Sequence, residues 1–468
     1  MTMPPPALRP ADLPAPGLTA ASLRVLQELG FATLTPIQAQ ALPILLGGGD
    51  LVGQSATGSG KTVAFALPLL ERLDLATRQL QALVLCPTRE LATQVAAALR
   101  TLGRHRPGLR VLVLAGGTPS APQRKALADG VHVAVGTPGR LQDLLDRGLD
   151  VSAVRTVVLD EADRMLDMGF QEAVELLLRR MPKPRQTLFF SATFPPTIAA
   201  MSRAWQDQPV HITVGATAAE RPAIQQIAHL VAPDARLAAL TAVLRAHPPG
   251  ATLVFCNLKA TVHDVAAALQ DAGFAADALH GDLEQRDRDR VMAKFRNGST
   301  QLLVATDVAA RGLDIAGLAA VINAELPTTP ETYVHRIGRT GRAGAPGLAI
   351  SLVTTGDRAR LEACALASGG TIAQLPLPTH AAPVQAAAPA AALATLFIGG
   401  GRKDKLRAGD ILGALTGDAQ VAAADIGRIE IAERFSYVAL PPPVLGRLLK
   451  LVGGLRIKGR QFRLDRVQ

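Results

Sequence analysis

Short apolar runs recur along most of the chain and constrain its fold more than any other feature. Each run consists mainly of Val, Leu, Ala and Phe, with no regular alternation of apolar and polar residues. A strand that is apolar on both faces must be covered on both faces, as parallel strands are when helices flank a sheet. The sequence therefore predicts two successive α/β units with parallel sheets. The runs lie at 83–87, 111–115, 131–135, 156–160 and 187–191, and then at 252–256, 277–280, 301–306, 320–323 and 348–353.

Changes in composition predict where these units begin and end. We expect a first α/β domain at 1–214, a hinge at 215–225 and a second α/β domain at 226–372. Residues 373–394 are rich in Ala and Pro and nearly uncharged, which is typical of a linker. Residues 395–468 are expected to form a small basic α+β module, with strands at 395–399, 427–431, 435–439 and 461–465 and helices at 408–415 and 443–452.

The charge and the cysteines indicate the class of partner and the compartment. A net charge of +10 and a pI near 10.0 predict a polyanionic partner. Residues 395–468 hold 13 Lys and Arg against 7 Asp and Glu, which is more than half of the excess charge. No apolar run reaches the roughly 20 residues of a membrane span, and Cys86, Cys256 and Cys364 are too scattered to suggest a disulfide framework. We therefore expect a cytoplasmic protein that binds nucleic acid and no membrane.

The segment SATGSGKT at 55–62 joins a strand-like run to a helical stretch, which is the context of a phosphate-binding loop. Gly58 and Gly60 let backbone N–H groups approach phosphate oxygens, and Lys61 provides a positive charge for the β and γ phosphates. The Thr62 hydroxyl is a candidate ligand of Mg²⁺. The nucleotide-binding residues predicted in this loop are Ser55, Ala56, Thr57, Gly58, Ser59, Gly60, Lys61 and Thr62.

Three carboxylates follow a predicted buried strand in the stretch VVLDEADRML at 157–166. A phosphate-binding loop requires an acid on another strand to hold the metal, and Asp160 at the strand end is the candidate. Glu161 is the candidate for polarising the attacking water. The sequence thus predicts an ATP-hydrolysing site with Lys61, Asp160 and Glu161 as catalytic residues. Mg²⁺ would be held by Thr62 and Asp160, partly through water.

Residues 160–163 spell DEAD, and residues 13–370 resemble the DEAD-box RNA helicases, motif after motif in family order. The resemblance implies two tandem RecA-like domains that use ATP and Mg²⁺ to act on RNA. The segment GFATLTPIQ at 30–38 is similar to the adenine-reading motif of the family. Gln38 would hydrogen-bond the base, and Phe31 would stack on it.

The motif SAT at 191–193 resembles the family segment that couples hydrolysis to strand separation. The resemblance implies that the hydroxyls of Ser191 and Thr193 hydrogen-bond Asp163. These two residues are therefore included among the catalytic candidates.

The motif HRIGRTGR at 335–342 resembles the arginine-finger segment of the family. The resemblance implies that Arg339 and Arg342 stabilise the γ-phosphate, a contribution of about 10³–10⁵ in rate. Asp314 matches the ribose contact of the family, whereas Leu13 stands where the family has an aromatic residue. The implied active site is complete only when both domains contribute to it.

Polar residues and glycines follow successive strand ends in both sets of strands. The carboxyl ends of parallel strands form one edge of a sheet, where ligands bind. Thr, Gly and Arg suit phosphate oxygens and carry no base preference. We expect a sequence-independent groove for single-stranded RNA, lined by Pro87, Thr88, Arg89, Gly116, Gly117, Thr137, Pro138 and Arg140 and by Gln285, Arg288, Thr306, Arg311 and Gly312.

The predicted element order of residues 395–468 is that of an RNA-recognition motif, whose sheet face stacks bases. Phe435 and Tyr437 share one face, where they either stack on bases or pack in the core. Segments 401–417, 425–431 and 453–464 resemble the C-terminal domain of the DbpA subfamily. That resemblance implies docking on a hairpin of 23S rRNA during assembly of the large ribosomal subunit. The RNA-binding candidates in the module are Arg402, Lys403, Lys405, Arg428, Arg434, Phe435, Tyr437, Lys458 and Arg460.

These features are interpreted as those of an ATP-dependent RNA helicase that remodels short duplexes near a tethering site on rRNA. No obligate protein partner is evident. An alternative is an ATP-gated RNA clamp or annealing chaperone whose hydrolysis times release, although the intact SAT motif favours unwinding. A DNA-acting translocase of the same superfamily is disfavoured by the DEAD residues, the adenine-reading motif and the basic module.

Overall fold

The computed structural model describes residues 17–55, 58–117, 119–214, 224–247, 250–310, 318–341, 346–378, 393–450 and 455–467. The chain divides near residue 221 into two compact units. Within the described ranges, no helix combines the length and the apolar character needed to cross a bilayer. All three cysteines are free thiols, which agrees with the lack of a predicted disulfide framework, and all three are buried.

The first unit contains a seven-stranded sheet in which every neighbouring pair is parallel. The central strands are buried almost throughout, which explains their lack of apolar–polar alternation. The order across the sheet is β3-β4-β2-β5-β6-β1-β7. The strands are β1 Leu51–Ser55, β2 Ala82–Leu85, β3 Val111–Leu114, β4 Val133–Gly136, β5 Thr156–Asp160, β6 Gln186–Ser191 and β7 Val210–Val214.

Helices cover both faces of this sheet and create two hydrophobic clusters. One cluster buries residues of α1 to α4, and the other buries residues of α6 to α9. This three-layer arrangement is the parallel α/β architecture expected from the sequence. The helices are α1 Ala20–Glu28, α2 Pro36–Leu46, α3 Lys61–Glu71, α4 Arg89–Leu102, α5 Ser120–Ala128, α6 Pro138–Asp146, α7 Ala162–Asp167, α8 Gln171–Arg180 and α9 Pro196–Trp205.

The second unit contains another parallel seven-stranded sheet, in the order β10-β11-β9-β12-β13-β8-β14. Its strands are β8 Ile224–Leu230, β9 Thr252–Phe255, β10 Ala276–Leu279, β11 Leu302–Ala305, β12 Ala320–Asn323, β13 Gly347–Val353 and β14 Ala373–Gln374. Its helices are α10 Arg236–Ala246, α11 Lys259–Asp271, α12 Gln285–Arg296, α13 Asp307–Ala310, α14 Pro330–Ile337 and α15 Arg358–Ser368.

Two strands of this sheet reach into segments that were expected to be irregular. β8 begins at Ile224, inside the predicted hinge, and β14 lies at the start of the predicted linker. β14 is stabilised by pairing with the edge strand β8, and the Leu375 N–H donates to the Ala228 carbonyl at 3.0 Å. A two-residue strand has no periodicity of its own, so composition could not indicate it. Residues 215–223 and 379–392 lie outside the described residues.

The C-terminal module is an antiparallel α+β domain with its own core. Its four-stranded sheet has the order β16-β17-β15-β20. The predicted single strand at 461–465 is wrong, because it is divided at Arg463 into two strands with different partners. β19 pairs with β18 across a turn in which Lys458 and Gly459 have φ values of 53° and 74°, whereas β20 pairs with β15. The elements are β15 Ala394–Ile398, α16 Ala408–Thr416, β16 Ile429–Ile431, β17 Ser436–Leu440, α17 Pro442–Leu449, β18 Leu455–Ile457, β19 Arg460–Phe462 and β20 Leu464–Arg466.

Candidate nucleotide site and RNA-binding surfaces

The strand order of the first sheet separates two sets of loops. β1, β6 and β5 are neighbours, and the phosphate-binding segment, the SAT motif and the DEAD residues follow their carboxyl ends. β2, β4 and β3 are neighbours on the other side, and the predicted RNA-binding loops follow them. Because β5 pairs with both β6 and β2, the DEAD residues lie between the two sets. The topology therefore places the carboxylates between the phosphate-binding segment and the predicted RNA-binding loops.

Gly58 and Gly60 give the phosphate-binding loop a backbone that other residues rarely adopt. Their φ values are 87° and 94°, in the left-handed region. A Cβ on Gly60 would lie 2.4 Å from Gln38 Nε2 and 3.0 Å from Thr35 Oγ1, whereas a Cβ on Gly58 would meet open space. Both positions therefore favour glycine by conformation, and a side chain at Gly60 would in addition displace the Gln38 amide.

Lys61 begins α3 directly after this loop and is 7% exposed. Its Nζ donates a hydrogen bond to the Ser55 carbonyl at 2.6 Å, and the hydroxyls of Ser55 and Ser59 are 2.8 Å apart. Burial lowers the pKa of Lys61, although the carboxylates of Asp160 and Glu161 oppose that shift. A buried ammonium is costly without anionic partners. A bound triphosphate would provide such a partner.

Gln38 connects the predicted adenine-reading motif to the phosphate-binding loop. Its Oε1 accepts from the Thr35 N–H at 3.0 Å, and its Nε2 donates to the Gly60 carbonyl at 3.2 Å. A primary amide has two donor hydrogens and two acceptor lone pairs, so each end retains one further bond. That remaining donor and acceptor match the paired edge of adenine. Phe31 is half-buried against the adjacent core cluster.

Asp160 ends β5 as a fully enclosed carboxyl group, 3% exposed. Burial, and then the neighbouring Glu161 carboxylate, raise the pKa of Asp160 to about 7. Lys61 opposes this shift from across the site. An acid that is difficult to ionise alone becomes a stable anion beside a divalent cation. The surroundings of Asp160 therefore suit a residue that faces a metal-bound nucleotide.

The donor set fits a magnesium ion that is shared with a nucleotide. Mg²⁺ usually binds one or two protein oxygen groups and completes its shell with phosphate oxygens and water. Asp160 and Thr62 would be those groups. Among the described residues, no group of three or more His, Cys, Asp or Glu could hold a metal on its own.

Asp163 joins the loops that follow β5 and β6. Its Oδ2 accepts from the Thr193 N–H at 2.9 Å and from the Thr193 hydroxyl at 2.8 Å. Ser191 also bonds Asp163 as expected, because its hydroxyl accepts from the Asp163 backbone N–H at 3.2 Å. These bonds fix the SAT motif against the DEAD residues. A displacement of either loop would therefore also displace the other.

Glu161 is held in place by a residue that the sequence analysis did not identify. Its φ of 55° is unusual for a residue other than glycine, and such backbone costs of order 1–3 kcal/mol. Arg164 Nη1 donates to Glu161 Oε2 at 2.8 Å, and the two side chains are 4% and 10% exposed. Arg164 thus fixes one oxygen of the candidate water-polarising carboxylate. Its spacing of three residues from Glu161 in a short helix was the available signal.

The predicted RNA-binding loops of the first unit are joined by another unpredicted residue, Gln123. Its Nε2 donates to the Ala115 carbonyl after β3 at 3.2 Å, and its Oε1 accepts from Arg140 Nη1 at 2.9 Å. The loop after β2 is organised separately, because Thr88 caps α4 and its hydroxyl accepts from the Leu91 N–H at 3.2 Å. The strand ends bring together the loops containing Pro87, Thr88, Arg89, Gly116, Gly117, Thr137, Pro138 and Arg140.

Arg336 organises the corresponding strand ends of the second unit. This side chain is only 1% exposed and stacks over the Phe255 ring at 4.9 Å. Its guanidinium donates twice to the Asp307 carboxylate at 2.7 Å and also to Asn257 Oδ1 at 2.7 Å. It further bonds Asn323 Oδ1 at 3.1 Å. One arginine therefore links the segments after β9, β11 and β12.

We expect Arg336→Ala to lower the free energy of unfolding of the second unit by about 3–5 kcal/mol, because it removes a buried guanidinium and leaves the half-buried Asp307 carboxylate without its partner. Arg336→Lys should restore only part of this loss, since an ammonium does not reproduce the planar fork. Chemical denaturation followed by circular dichroism measures both effects. Arg358→Ala is the control, because Arg358 is 85% exposed. Equal stabilities of wild type and Arg336→Ala would contradict this role.

The other predicted residues of the second unit occupy the ends of three elements. Arg339 follows α14, is 7% exposed, and donates its backbone N–H to the Arg336 carbonyl at 3.1 Å. Arg288 Nη2 donates to the Ala309 carbonyl at 2.7 Å, which joins α12 to α13, and Thr306 directly precedes α13. Gln285 is the first residue of α12. The predicted residues Ala56, Thr57, Arg311, Gly312, Asp314 and Arg342, and also Leu13, lie outside the described residues.

Six of the basic candidates in the C-terminal module lie on connected loops, which we call the basic rim. The Arg402 and Lys403 N–H groups donate to the carbonyls of residues 432 and 433 at 2.9 Å. Lys458 Nζ donates to the Lys405 carbonyl at 3.1 Å from the turn of the β18–β19 hairpin. Acids along the rim pair with Lys403 and Arg460, whose side chains are exposed, and ion pairs at the surface contribute little stability. The basic rim comprises Arg402, Lys403, Lys405, Arg434, Lys458 and Arg460, all exposed.

The aromatic candidates belong to a separate cluster on the sheet. Phe435 and Tyr437 have ring centroids 5.1 Å apart, and Phe397, which the sequence analysis did not identify, lies 5.8 Å and 6.0 Å from them. Tyr437 is only 7% exposed, whereas the two phenylalanines are half-buried. Arg428 lies apart from the basic rim and pairs with Glu430 on β16 at 2.9 Å.

Comparisons with known proteins agree with these features. The DEAD/DEAH box helicase family matches residues 35–201, the helicase conserved C-terminal domain matches residues 235–344, and the DbpA RNA binding domain matches residues 395–466. Saccharomyces cerevisiae Dbp5 bound to RNA and ADP BeF3 has a TM-score of 0.70 and 31% identity, over 77% of this chain and 95% of that chain. The chain therefore belongs to the DEAD-box ATP-dependent RNA helicases.

Two bacterial relatives illustrate the extent of the similarity. The ATP-dependent RNA helicase DbpA of Escherichia coli strain K12 is 47% identical over 448 residues, which cover 96% of this chain and 97% of that protein. The DEAD-box ATP-dependent RNA helicase CshA of Bacillus subtilis strain 168 is 42% identical over 347 residues, 74% of this chain and 70% of that protein. Similarity to DbpA thus extends through the C-terminal module.

Proposed function

We propose that this helicase remodels short RNA duplexes on 23S rRNA, in precursors of the large ribosomal subunit in the cytoplasm, while its C-terminal module holds a nearby rRNA hairpin. The observation that carries the proposal is the basic rim on a domain that matches the DbpA RNA binding domain. Exposed Arg and Lys on neighbouring loops suit the phosphates of a folded RNA. Tethering raises the local concentration of the duplex without requiring new contacts in the helicase domains.

In the proposed ATPase cycle, two RecA-like domains, at 1–214 and 226–372, contribute to one reaction. Residues 215–225 form the hinge between them, and residues 373–394 link the second domain to the module at 395–468. Gln38 and Phe31 bind adenine, and the 55–62 loop binds the phosphates. Thr62 and Asp160 would hold Mg²⁺, which would neutralise phosphate charge. Glu161 orients the attacking water. Arg339 and Arg342 stabilise the charge that develops on the γ-phosphate, and Asp314 contacts the ribose.

The coupling of this cycle to RNA is proposed to pass through Asp163. Its bonds to Thr193 join the DEAD residues to the SAT motif, one strand away from the phosphate-binding loop. The same carboxyl edge of the sheet continues into the predicted RNA-binding loops. A shift of the carboxylates on hydrolysis is thereby transmitted to loops that hold the RNA backbone. Contacts to phosphate and sugar do not depend on the base sequence, so this groove does not select a particular RNA. The C-terminal module therefore determines which RNA is bound.

The proposal predicts that rRNA stimulates ATP hydrolysis through the basic rim. A 23S rRNA fragment should stimulate the full chain more strongly than poly(U) of equal length. In the double variant Lys458→Ala/Arg460→Ala this preference should fall about 10-fold or more, since each lost phosphate contact weakens binding and its salt dependence. Poly(U) stimulation should be unchanged, which shows that the helicase domains remain intact. Equal stimulation of the wild type by both RNAs would contradict the proposal.

A further inference from the structure

Arg164 bonds two of the three DEAD carboxylates, through different atoms. Its Nη1 donates to Glu161 Oε2 at 2.8 Å, and its backbone N–H donates to Asp163 Oδ1 at 3.0 Å. The other carboxylate oxygen of Asp163 accepts from the N–H and the hydroxyl of Thr193 in the SAT motif. Residue 164 therefore lies between the candidate water-polarising carboxylate and the carboxylate that contacts the SAT motif.

Three of these residues are shielded from solvent. Glu161 is 8% exposed, and Asp163 and Arg164 are each 4% exposed. Charge-assisted hydrogen bonds are short and directional, and they are stronger in a site of low dielectric constant than in water. A buried charge that loses its partner is costly, so water cannot readily replace either side of the Arg164–Glu161 pair. The two side chains must therefore move together.

The backbone at Glu161 depends on support of this kind. Glu161 precedes α7 with a φ of 55°, and its side chain does not cap the helix. A left-handed conformation at a residue other than glycine persists only where the surroundings hold it. The Arg164–Glu161 bond closes the turn from 161 to 164 with a side-chain contact. The turn therefore moves as one body, so a displacement of Asp163 within it also displaces the Glu161 carboxylate.

We infer that Arg164 is a positioning residue that transmits movement of the SAT motif to Glu161, and so allows RNA to stimulate ATP hydrolysis. The inference rests on the proposed function, in which Glu161 orients the attacking water and Asp163 couples the site to RNA. Coupling between two sites is reciprocal, so RNA on the loops after β2, β3 and β4 also acts on the carboxylates. Loss of the Arg164 side chain should therefore slow hydrolysis and leave the binding of ATP and RNA unchanged.

The quantity that tests this role is the stimulation ratio, defined as the rate of ATP hydrolysis with a saturating 23S rRNA fragment divided by the rate without RNA. Arg164→Met fills much of the buried space and keeps the backbone N–H to Asp163, but it removes the bond to Glu161. We expect the ratio to fall about 10- to 100-fold, since misplacing a reacting group by about 1 Å has an effect of this size. The KM for ATP and the affinity for RNA should stay within about 2-fold of the wild-type values.

A matched set of variants separates positioning from a loss of packing. Arg164→Lys keeps a buried cation that can donate to Glu161, so it should recover part of the ratio. A merely structural role would instead lower the melting temperature of both variants and leave the ratio of the folded protein unchanged. Arg179→Met is the control, because Arg179 pairs with Glu175 on the surface of α8 and its side chain is 67% exposed. It should alter neither the ratio nor the melting temperature.

A double-mutant cycle tests whether Arg164 and the SAT motif act in one relay. Thr193→Val removes the hydroxyl that donates to Asp163 Oδ2 at 2.8 Å. If the two residues act in series, the ratio of the double variant should equal that of the more affected single variant, whereas independent effects multiply. Where methionine at 164 prevents folding, Arg164→Gln takes its place, because its amide occupies the buried position without a charge-assisted bond to Glu161.

Multiplied effects in this cycle would overturn the inference, as would a wild-type ratio in Arg164→Met or in the glutamine variant that replaces it. Two other results would count against the proposed function instead. Turnover by Glu161→Gln at the wild-type rate would refute the role of Glu161 on the attacking water. A wild-type enzyme that the rRNA fragment does not stimulate would refute the action on rRNA.

Discussion

Replacing Lys61 with alanine is expected to abolish RNA-stimulated ATP turnover. The Lys61 ammonium is buried at the start of α3, and its pKa is lowered by that burial, so an anion is its natural partner. Its Nζ donates to the neutral carbonyl of Ser55. Removing it deletes the positive charge beside the β and γ phosphates. A loss of at least about 10²–10³ in turnover is expected from the removal of one such electrostatic contact.

Steady-state release of phosphate, measured with saturating rRNA and ATP, checks this prediction. Lys125→Ala is the matched control, because Lys125 lies exposed on α5 and away from the phosphate-binding loop in sequence. Binding of the rRNA hairpin by Lys61→Ala should equal that of the wild type, since the basic rim is unaltered. Turnover of Lys61→Ala near the wild-type rate would refute the assignment of residues 55–62 to phosphate binding.

Arg339→Ala is expected to slow the hydrolysis step by about 10³–10⁵, the usual contribution of an arginine finger. Arg339 follows α14, and its backbone N–H donates to the Arg336 carbonyl. The side chain of Arg336 forms hydrogen bonds with Asp307, Asn257 and Asn323. The two arginines are three residues apart and have different expected effects. Arg336→Ala should act on stability, and Arg339→Ala should act on the rate with the stability unchanged.

Single-turnover hydrolysis of ATP at saturating enzyme and RNA separates the chemical step from binding. Arg339→Lys retains the charge but not the planar fork, so it should recover only a small part of the rate. Arg358→Ala on α15 should behave as the wild type, and hairpin affinity should be equal in all three variants. A rate for Arg339→Ala within a few-fold of the wild type would exclude a role on the γ-phosphate.

Much of the fold was predictable because the strands of parallel sheets have a simple signature. β5 and β12 have the predicted bounds, since each is an apolar run that ends abruptly at polar residues. β14 and β18 were not predicted, because strands of two or three residues carry no periodicity. Their existence depends on partners elsewhere in the chain, an edge strand for β14 and a two-residue turn for β18.

The residues of the candidate site could be predicted from the sequence where they belong to contiguous motifs. Lys61, Asp160 and Thr193 belong to such motifs. The residues that hold those motifs in place bond residues that are distant in sequence, so no local pattern indicates their partners. Gln123, which joins two loops, is one example.

The most direct test concerns strand displacement. A labelled strand in a short duplex, covalently joined to the 23S rRNA hairpin, is mixed with excess enzyme and its release is followed with and without ATP. We predict release that requires ATP, that is absent in the Lys61→Ala variant, and that falls sharply when the hairpin is removed from the RNA. Vigorous ATP hydrolysis on the same RNA with the strand still annealed would contradict unwinding, and would instead identify an RNA clamp that uses hydrolysis to time its release.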